Sequence, residues 1–496
     1  MKSLINWIPI KGRYAKALLI RTLKIAAMIV LGGLISGIIA FVIVLNGRPD
    51  LKVWHEARLN HEFTNSANIH TFSGYLELED RLFEELGEKV NDKIEEGDKR
   101  EINRYYAGSL SDPERWPKNW NRTWVVEPES PTRGVLLLHG MSDSPYSMRS
   151  LGEKIADAKT AAIALRIPGH GTSPSGLLDV EWEDMAAAVK IAVAHLKGRI
   201  GNGPISIIGY SNGGALAIEY ALSVIENSEL PRVEKIVLIS PSIGVTKLAA
   251  LAIWQSRLGH VLGLKKLAWN AIQPEYDPYK YGSFALNAGR QVYLLTSEIS
   301  KRLEKANKKE ELKDFPPVLG FQSVVDATVS TPALVEVLFN SLPDQGHELV
   351  LFDINRLDSM ETVFNPNPTP GLNELKEDKV LPFRITVLEN ENGGSRGIVE
   401  RSKEAGSITI TTKETGLEWP EGIYSLSHVA LPFPETDALY GGETAEKSPG
   451  IQIGNAVLRG ERGVSQIPAG TMLRLRWNPF YDLMEKRILD FLEVGD

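Results

Sequence analysis

The feature that most constrains the fold of this chain is the stretch 205–220, in which a serine stands between two glycines. Residues 205–208 are apolar and rich in β-branched side chains, and the small residues after the turn favour a helix. Between them lies Gly209-x-Ser211-x-Gly213, the spacing of a sharp strand-to-helix turn with a nucleophilic serine at its apex. Such a turn leaves no room for side chains two residues before and after the serine. A glycine-rich turn with an incidental serine is the alternative, because five-residue patterns arise by chance.

Two further motifs stand, like Ser211, at the ends of predicted buried strands. Apolar runs lead into His139-Gly140 and into Pro168, and helix-prone segments follow each of them. Strands that are apolar throughout and alternate with helices predict an α/β fold, a mostly parallel sheet covered by helices on both faces. Ligands of such sheets bind beyond the carboxyl ends of the strands. The three motifs are therefore expected to converge on one edge of the sheet.

These segments resemble the α/β-hydrolase superfamily. The resemblance is carried by residues 138–153, which begin Leu-His-Gly-Met-Ser-Asp-Ser-Pro, by Pro168-Gly-His-Gly-Thr-Ser173, and by Gly209-Tyr-Ser-Asn-Gly-Gly214. They look most like the bacterial carboxylesterase and monoacylglycerol lipase branch, which is grouped with serine aminopeptidase-like hydrolases. The resemblance covers about residues 121–290 and resumes near 315–354, 424–430 and the C-terminal helix.

The resemblance implies an oxyanion hole made of two backbone N–H groups. In that branch the residue after His-Gly and the residue after the serine are the donors, which here are Met141 and Asn212. The branch more often has methionine after the serine, so Asn212 is a departure. A backbone donor should survive this change, although the polarity near the acyl group would differ.

A serine nucleophile needs a histidine base, and two of the nine histidines remain after sorting by position. The superfamily order is serine, acid, histidine. His347 opens an apparent strand, so it is expected at the wrong end of the sheet. His428 lies in a loop, and Ser-x-x-His-Val before a late acidic residue resembles the family's histidine loop. We predict His428 as the base, with a structural histidine as the alternative.

The acid of the site is expected at the end of the strand that precedes His347. Residues 316–326 have the pattern of such a strand, and Asp326 closes it. A helix start with a capping residue and a proline follows at Ser330. We predict that Asp326 orients His428 and stabilises its charged form. Asp353 is the second candidate, since acids sometimes migrate to a neighbouring strand end.

The first fifty residues predict a membrane anchor. Residues 25–45 carry no charge, and twenty-one helical residues at about 1.5 Å each cover a bilayer core of roughly 30 Å. Six basic and no acidic residues precede this run, so the positive-inside rule predicts a cytoplasmic N-terminus and a body outside the cytoplasm, in the periplasm of a Gram-negative cell. A cleaved signal peptide is the alternative, although its apolar core would be shorter.

The remaining organisation follows from composition. A break around Pro113 and Trp120 predicts the start of the hydrolase domain near residue 121. Two insertions are expected within it, a helical lid and a segment with two strand-like runs that form a small appended sheet. The predicted parts are a basic segment 1–24, the anchor 25–45, a helical spacer 46–120 and the domain 121–496, with the lid at about 243–314 and the second insertion at about 356–422.

Three functions are compatible with these sequence features. The first is a membrane-anchored serine hydrolase of carboxylic esters. The second is an aminopeptidase-like amide hydrolase, with Glu275 and Asp277 available to bind an amine. The third is a non-catalytic scaffold. No metal or organic cofactor is implied, and cysteine chemistry is excluded because the chain has no cysteine. A net charge of −8 without a large basic patch argues against a nucleic-acid partner.

Overall fold

The computed structural model describes residues 13–244, 265–326, 328–358, 379–454 and 474–494. The chain divides into two compact units, Met1–Asp50 and Leu51–Asp496. The first unit contains one helix, α1, Arg13–Asn46. No helix in the part of the chain that the structure describes is long and apolar enough to cross a membrane. The membrane-spanning helix predicted over residues 25–45 is therefore not supported, and the location of the body stays a prediction.

The described part of the second unit contains twelve strands. They are β1 Trp124–Val126, β2 Arg133–Leu138, β3 Thr160–Leu165, β4 Ile205–Tyr210, β5 Lys235–Ile239, β6 Trp269–Ala271, β7 Phe284–Ala285, β8 Val318–Ser323, β9 Glu348–Phe352, β10 Arg384–Asn390, β11 Gly397–Lys403 and β12 Ile410–Glu418.

One sheet holds all of these strands except β6 and β7, which pair with each other. The order in the sheet is β1-β3-β2-β4-β5-β8-β9-β10-β11-β12. The pairs from β3 through β10 are parallel, while β1, β11 and β12 pair antiparallel. The mostly parallel sheet expected from the sequence is confirmed.

The helices of this unit cover both faces of the sheet. They are α2 Val53–Glu56, α3 Phe72–Lys89, α4 Arg149–Ile155, α5 Trp182–Ile200, α6 Asn212–Glu226, α7 Leu286–Lys308, α8 Thr331–Ala333, which continues as a π-helical turn over Leu334–Leu338, and α9 Tyr481–Leu492. Side chains alternate between the faces along each strand. Leu136 and Leu138 of β2 face the core shared with α5, α6 and α7, whereas Val135 and Leu137 face the core shared with α4 and α9.

The segment predicted as a spacer belongs to the body of the domain. Phe63, Phe72 and Tyr75 are buried in the same core as α5 and α6. Trp116 and Trp120 are buried in the core on the opposite face. The boundary lies between Asp50 and Leu51 rather than near residue 120. The physical reason is the apolar stripe of α3, which is removed from water only by packing on the sheet unit.

The predicted lid is described in part. Residues 245–264, which carry most of its apolar stripe, lie outside the described residues. The insertion also contains α7, whose Leu295, Ile299 and Leu303 are buried in the core that α6 also joins. This half of the insertion is therefore a layer of the body.

The second insertion also differs from its prediction, although residues 359–378 lie outside the described residues. Its strands do not form a separate small sheet. Instead β10 pairs with β9 in parallel, and β11 and β12 continue the main sheet as a hairpin. The pairing satisfies the backbone N–H and C=O groups that would otherwise be exposed along β9.

Candidate active site

Ser211 stands at a strained turn between β4 and α6. Its φ of 53° and ψ of −115° lie in a region that L-residues rarely adopt. The two flanking glycines are required by the close approach of the backbone. A Cβ at Gly209 would lie 2.4 Å from the Gly213 carbonyl oxygen, and one at Gly213 would lie 2.3 Å from that of Leu138. The serine is buried, with 7% of its surface exposed.

Asp326 and His428 form a hydrogen-bonded pair beside this turn. The distance between His428 Nδ1 and Asp326 Oδ2 is 2.7 Å, and the Asp326 side chain is fully buried. Asp326 lies in the turn after β8, and its other oxygen accepts the N–H groups of Thr328 and Val329. The Tyr210 ring, next to Ser211, packs 5.3 Å from the His428 ring. The three residues therefore meet at one edge of the sheet, although 102 positions separate Asp326 from His428 in the sequence.

The carboxyl of Asp326 is held ionised. Burial by itself raises the pKa of a carboxyl, but the hydrogen bond and charge of His428 and the two backbone N–H groups outweigh it. The pKa of Asp326 therefore lies below its usual value. A carboxylate at Nδ1 fixes the proton of a neutral imidazole on that nitrogen, which leaves Nε2 as the acceptor.

The hydroxyl of Ser211 has a different partner from the one expected. Its Oγ lies 3.3 Å from the Oγ of Ser242, and the Ser242 N–H donates to the Ser211 carbonyl at 2.9 Å. Within the described ranges no hydrogen bond joins Ser211 Oγ to His428. Hydrogen bonds between nucleophile and base are often long or misaligned without substrate. Ser211 Oγ is thus bonded to Ser242, and the His428–Asp326 pair lies beside its turn.

The loop after β2 packs directly on the serine. A Cβ at Gly140 would lie 3.1 Å from the Cβ of Ser211, so a side chain there would crowd the serine. Met141 follows, and Asn212 begins α6 on the other side of the serine. Among the described residues neither the Met141 N–H nor the Asn212 N–H donates to a protein acceptor, which is expected for Asn212 as a first helical residue. The Asn212 side chain points away, with Nδ2 3.5 Å from Met185 Sδ.

His139 and His170 support this loop as neutral, buried side chains. The Ile167 N–H donates to His139 Nε2 at 3.0 Å, so Nδ1 carries the proton and donates to the Gly140 carbonyl. Burial, and then the proximity of His170, hold the pKa of His139 well below its usual value. Burial lowers the pKa of His170 to about 4.

The competing candidates for base and acid have other partners. His347 lies before β9, at the end of the sheet opposite to Ser211, and its Nδ1 accepts the Val318 N–H at 3.1 Å. Asp353 is bound by Arg356 through two hydrogen bonds of 2.6 and 2.9 Å. Neither residue contacts His428 or Ser211 within the described part of the chain.

The two carboxylates considered for amine binding are also occupied. Glu275 is buried and accepts the N–H groups of Gly282 and Ser283. Asp277 accepts the Tyr440 hydroxyl at 2.6 Å and two backbone N–H groups. They stabilise the loop before β7, which leaves them poorly placed to recognise a substrate ammonium group.

Sequence reasoning missed Ser242 and Gln322. Ser242 follows β5 and contacts the Ser211 hydroxyl, while Gln322 Nε2 donates to Asp326 Oδ2 at 3.1 Å. Both lie at the carboxyl ends of strands, and that position was the available signal. Among the described residues no group of three or more His, Cys, Asp or Glu side chains is arranged to hold a metal ion.

Residues 129–353 match the model of the serine aminopeptidase, S33, family. This range holds the strand-to-helix turn Gly209–Gly213, called the elbow below, together with the loop after β2 and Asp326. His428 lies beyond it. A curated relative, the thermostable monoacylglycerol lipase of Bacillus sp. (strain H-257), is 36% identical over 88 residues, which are 18% of this chain and 34% of that protein. The match thus spans about a third of the relative's length.

Two solved structures show how the chain compares in three dimensions. One of the metagenome-derived lipolytic enzymes LipS and LipT has 21% identity and a TM-score of 0.36, covering 47% of this chain and 87% of that one. The monoacylglycerol lipase of Paleococcus ferrophilus has 18% identity and a TM-score of 0.35, covering 47% and 89%. The assignment of the α/β-hydrolase fold rests on this chain's own strand order and elbow.

Proposed function

We propose that this protein is a serine hydrolase that cleaves carboxylic esters through an acyl-enzyme, with Ser211 as nucleophile, His428 as base and Asp326 as acid. The observation that carries the proposal is the 2.7 Å hydrogen bond between His428 and Asp326 beside the strained turn of Ser211. A carboxylate–histidine pair beside a serine on a strained turn supports nucleophilic catalysis, in which a base activates the serine and an acid orients the base.

The first half of the reaction forms the acyl-enzyme. The Ser211 hydroxyl turns from Ser242 to His428, whose Nε2 takes its proton as Oγ attacks the ester carbonyl carbon. Charge then develops on the carbonyl oxygen, where the N–H groups of Met141 and Asn212 donate to it. Such a donor contributes roughly 3 kcal/mol to transition-state stabilisation. The carbon–oxygen bond to the alcohol breaks, and His428 returns the proton to the departing alcohol.

The second half releases the acid. Water attacks the acyl carbon while His428 takes its proton, and the tetrahedral intermediate collapses to the carboxylic acid and free Ser211. Asp326 keeps the imidazole in one tautomer and stabilises its charged form in both halves.

Lipid-derived esters such as monoacylglycerols are the substrate class we propose. This extends to the chain what is named for the Bacillus relative, which the match covers only in part. Glu275 and Asp277 already accept hydrogen bonds from within the protein, which favours esters over aminoacyl amides as substrates. A rate comparison of monoacylglycerols and p-nitrophenyl esters with aminoacyl anilides distinguishes the two classes.

The deciding experiment is labelling of the full chain with a fluorophosphonate probe. We expect the wild-type protein to be labelled and Ser211→Ala not to be. Ser240→Ala removes a neighbouring buried hydroxyl and should leave labelling unchanged. A folded wild type that is not labelled, or a Ser211→Ala variant that keeps its esterase activity, would overturn the proposal.

A further inference from the structure

The N-terminal part of the second unit, residues 51–121, lies before the family match and contributes two acids to a buried ion cluster. The Arg166 guanidinium is 1% exposed. Glu62 receives two hydrogen bonds from it, at 3.0 and 3.2 Å, and Glu79 receives one at 3.0 Å. The Tyr75 hydroxyl also donates to the Arg166 carbonyl. A buried guanidinium depends on such partners, because it has lost its hydration.

Arg166 connects this region to the loop that carries Met141. It directly follows β3, and its Nη1 donates to the His170 carbonyl at 3.0 Å. The next residue, Ile167, donates its N–H to His139 Nε2 at 3.0 Å. His139 immediately precedes Gly140, which packs on Ser211. Two residues, Ile167 and His139, therefore connect Arg166 and its carboxylate partners to one side of the proposed oxyanion hole.

The same region reaches the loop by a second route. The Arg104 N–H donates to the Glu275 carbonyl at 2.9 Å, and the Ser111 hydroxyl donates to the Tyr276 carbonyl at 2.6 Å. The segment held in this way ends at Tyr281, whose N–H donates to the Ser142 carbonyl at 2.8 Å. Ser142 has a φ of 63°, a left-handed conformation that costs energy in a residue other than glycine.

We propose that residues 51–121 act as an N-terminal brace that sets the position of the oxyanion loop, with Glu62, Arg166 and Tyr281 as positioning residues. The inference rests on the proposed function. Backbone donors stabilise an oxyanion only when they are held in place before charge develops. The loop from His139 to Ser142 is held at both ends, at His139 through Ile167 and at Ser142 through Tyr281. The brace reaches the first attachment through Arg166 and the second through the segment that ends at Tyr281.

The test compares variants of the full chain in their kinetics and in their response to a tetrahedral analogue. Glu62→Gln keeps the shape of the side chain and removes the charge that Arg166 faces. We expect kcat on a p-nitrophenyl ester to fall at least tenfold with KM within twofold. The inhibition constant of an alkyl trifluoromethyl ketone should rise in parallel with the loss of kcat, because this ligand places an oxyanion in the hole.

A second variant and a matched control separate the brace from general stability. Ser111→Ala removes the hydrogen bond to the Tyr276 carbonyl on the second route. It should likewise lower kcat and leave KM within twofold. Asp80→Asn is the control, because its pair with Arg122 joins the same region to the body but is exposed and remote from the loop. Asp80→Asn should match the wild type in kcat and in the inhibition constant.

Folding is followed by melting temperature in each variant. If Glu62→Gln does not fold, the triple variant Glu62→Gln, Glu79→Gln, Arg166→Met removes the whole buried charge cluster and serves instead. It should fold and still show reduced kcat, since the contact of Arg166 with the His170 carbonyl is lost. Folded variants of both routes with wild-type kcat would overturn the brace. A wild type without fluorophosphonate labelling would instead overturn the proposed function.

Discussion

At the scale of single residues, the proposed mechanism requires the Ser211 hydroxyl to exchange one hydrogen-bond partner for another. The partner at rest is Ser242, which is buried and is also tied to the Ser211 carbonyl through its own N–H. A net hydrogen bond of this kind contributes about 1 kcal/mol, so it competes with the turn toward His428 without preventing it.

The first residue-scale prediction concerns Ser242→Ala. Loss of the resting contact should free the Ser211 hydroxyl for His428 and raise the rate of fluorophosphonate labelling by roughly fivefold, the equivalent of about 1 kcal/mol. Labelling rates under pseudo-first-order conditions measure this. Ser240→Ala is the matched control because the Ser240 hydroxyl, also buried, has no hydrogen-bond partner among the described residues. An unchanged or slower rate in Ser242→Ala would show that the contact does not restrain the nucleophile.

The second residue-scale prediction concerns Asp326→Asn. The carboxylate accepts the His428 Nδ1 proton, and a carboxamide of the same shape would favour the wrong imidazole tautomer. We expect kcat to fall by roughly 10⁴-fold with little change in KM. Steady-state ester hydrolysis measures this, with Asp353→Asn compared in parallel. A larger loss of kcat in Asp353→Asn would move the role of the acid to the neighbouring strand.

At the scale of elements, one cation of helix α9 binds carboxylates of strands β9 and β11. Arg487 binds Glu348 of β9 at 2.6 Å and Glu400 of β11 at 2.5 Å, with 19% of its side chain exposed. Burial lowers the pKa of an arginine, but these two carboxylates outweigh it and raise the pKa of Arg487. Without the Arg487 guanidinium the two partly buried acids would keep only the longer ion pairs with Arg384, at 3.5 and 3.8 Å.

Arg487→Met should therefore lower the free energy of unfolding by about 3 kcal/mol. Its neighbour Lys486 forms an exposed pair with Asp490 at 2.7 Å, and such pairs contribute roughly 0.5 kcal/mol. Urea unfolding of Arg487→Met and Lys486→Met measures the difference. Equal losses in the two variants would mean that α9 is held by apolar contacts alone.

At the scale of the whole molecule, acid stability depends on buried histidines that stay neutral in the folded state. Burial lowers the pKa of His55, His170 and His347 to about 4. Their usual value is about 6.5, so between these values the unfolded chain binds more protons than the folded one. Stability is then lost as the pH falls from about 6.5 toward 4. Asp326, whose pKa is lowered, affects stability only at more acidic pH.

We expect the free energy of unfolding to fall by roughly 2 kcal/mol per buried histidine between pH 7 and pH 5. Chemical unfolding at the two values measures the loss. His347→Gln should make this pH-dependent loss smaller by roughly 2 kcal/mol. His70→Gln, a change at an exposed histidine, should leave the loss unaltered. A pH dependence that is the same in all three proteins would contradict this account.

Local sequence patterns determined the elbow, the mostly parallel sheet and the candidate residues at its carboxyl edge. The reason is that a strand covered on both faces must be apolar throughout, and a turn as tight as that of Ser211 must be flanked by glycine. The order serine, acid, histidine in the superfamily that the sequence resembles then predicted Asp326 and His428. Their catalytic roles remain proposals, but their proximity is a property of the fold.

Only the tertiary structure decided which remote residues meet. Glu62 and Arg166 are 104 positions apart, and nothing in their local pattern distinguishes a buried pair from two solvated charges. The same holds for β10, whose alternation fits a separate sheet as well as the edge of β9. Periodicity reports which face of an element is buried, but the partner that buries it is selected by packing across the whole chain. The brace around the oxyanion loop could therefore be recognised only in three dimensions.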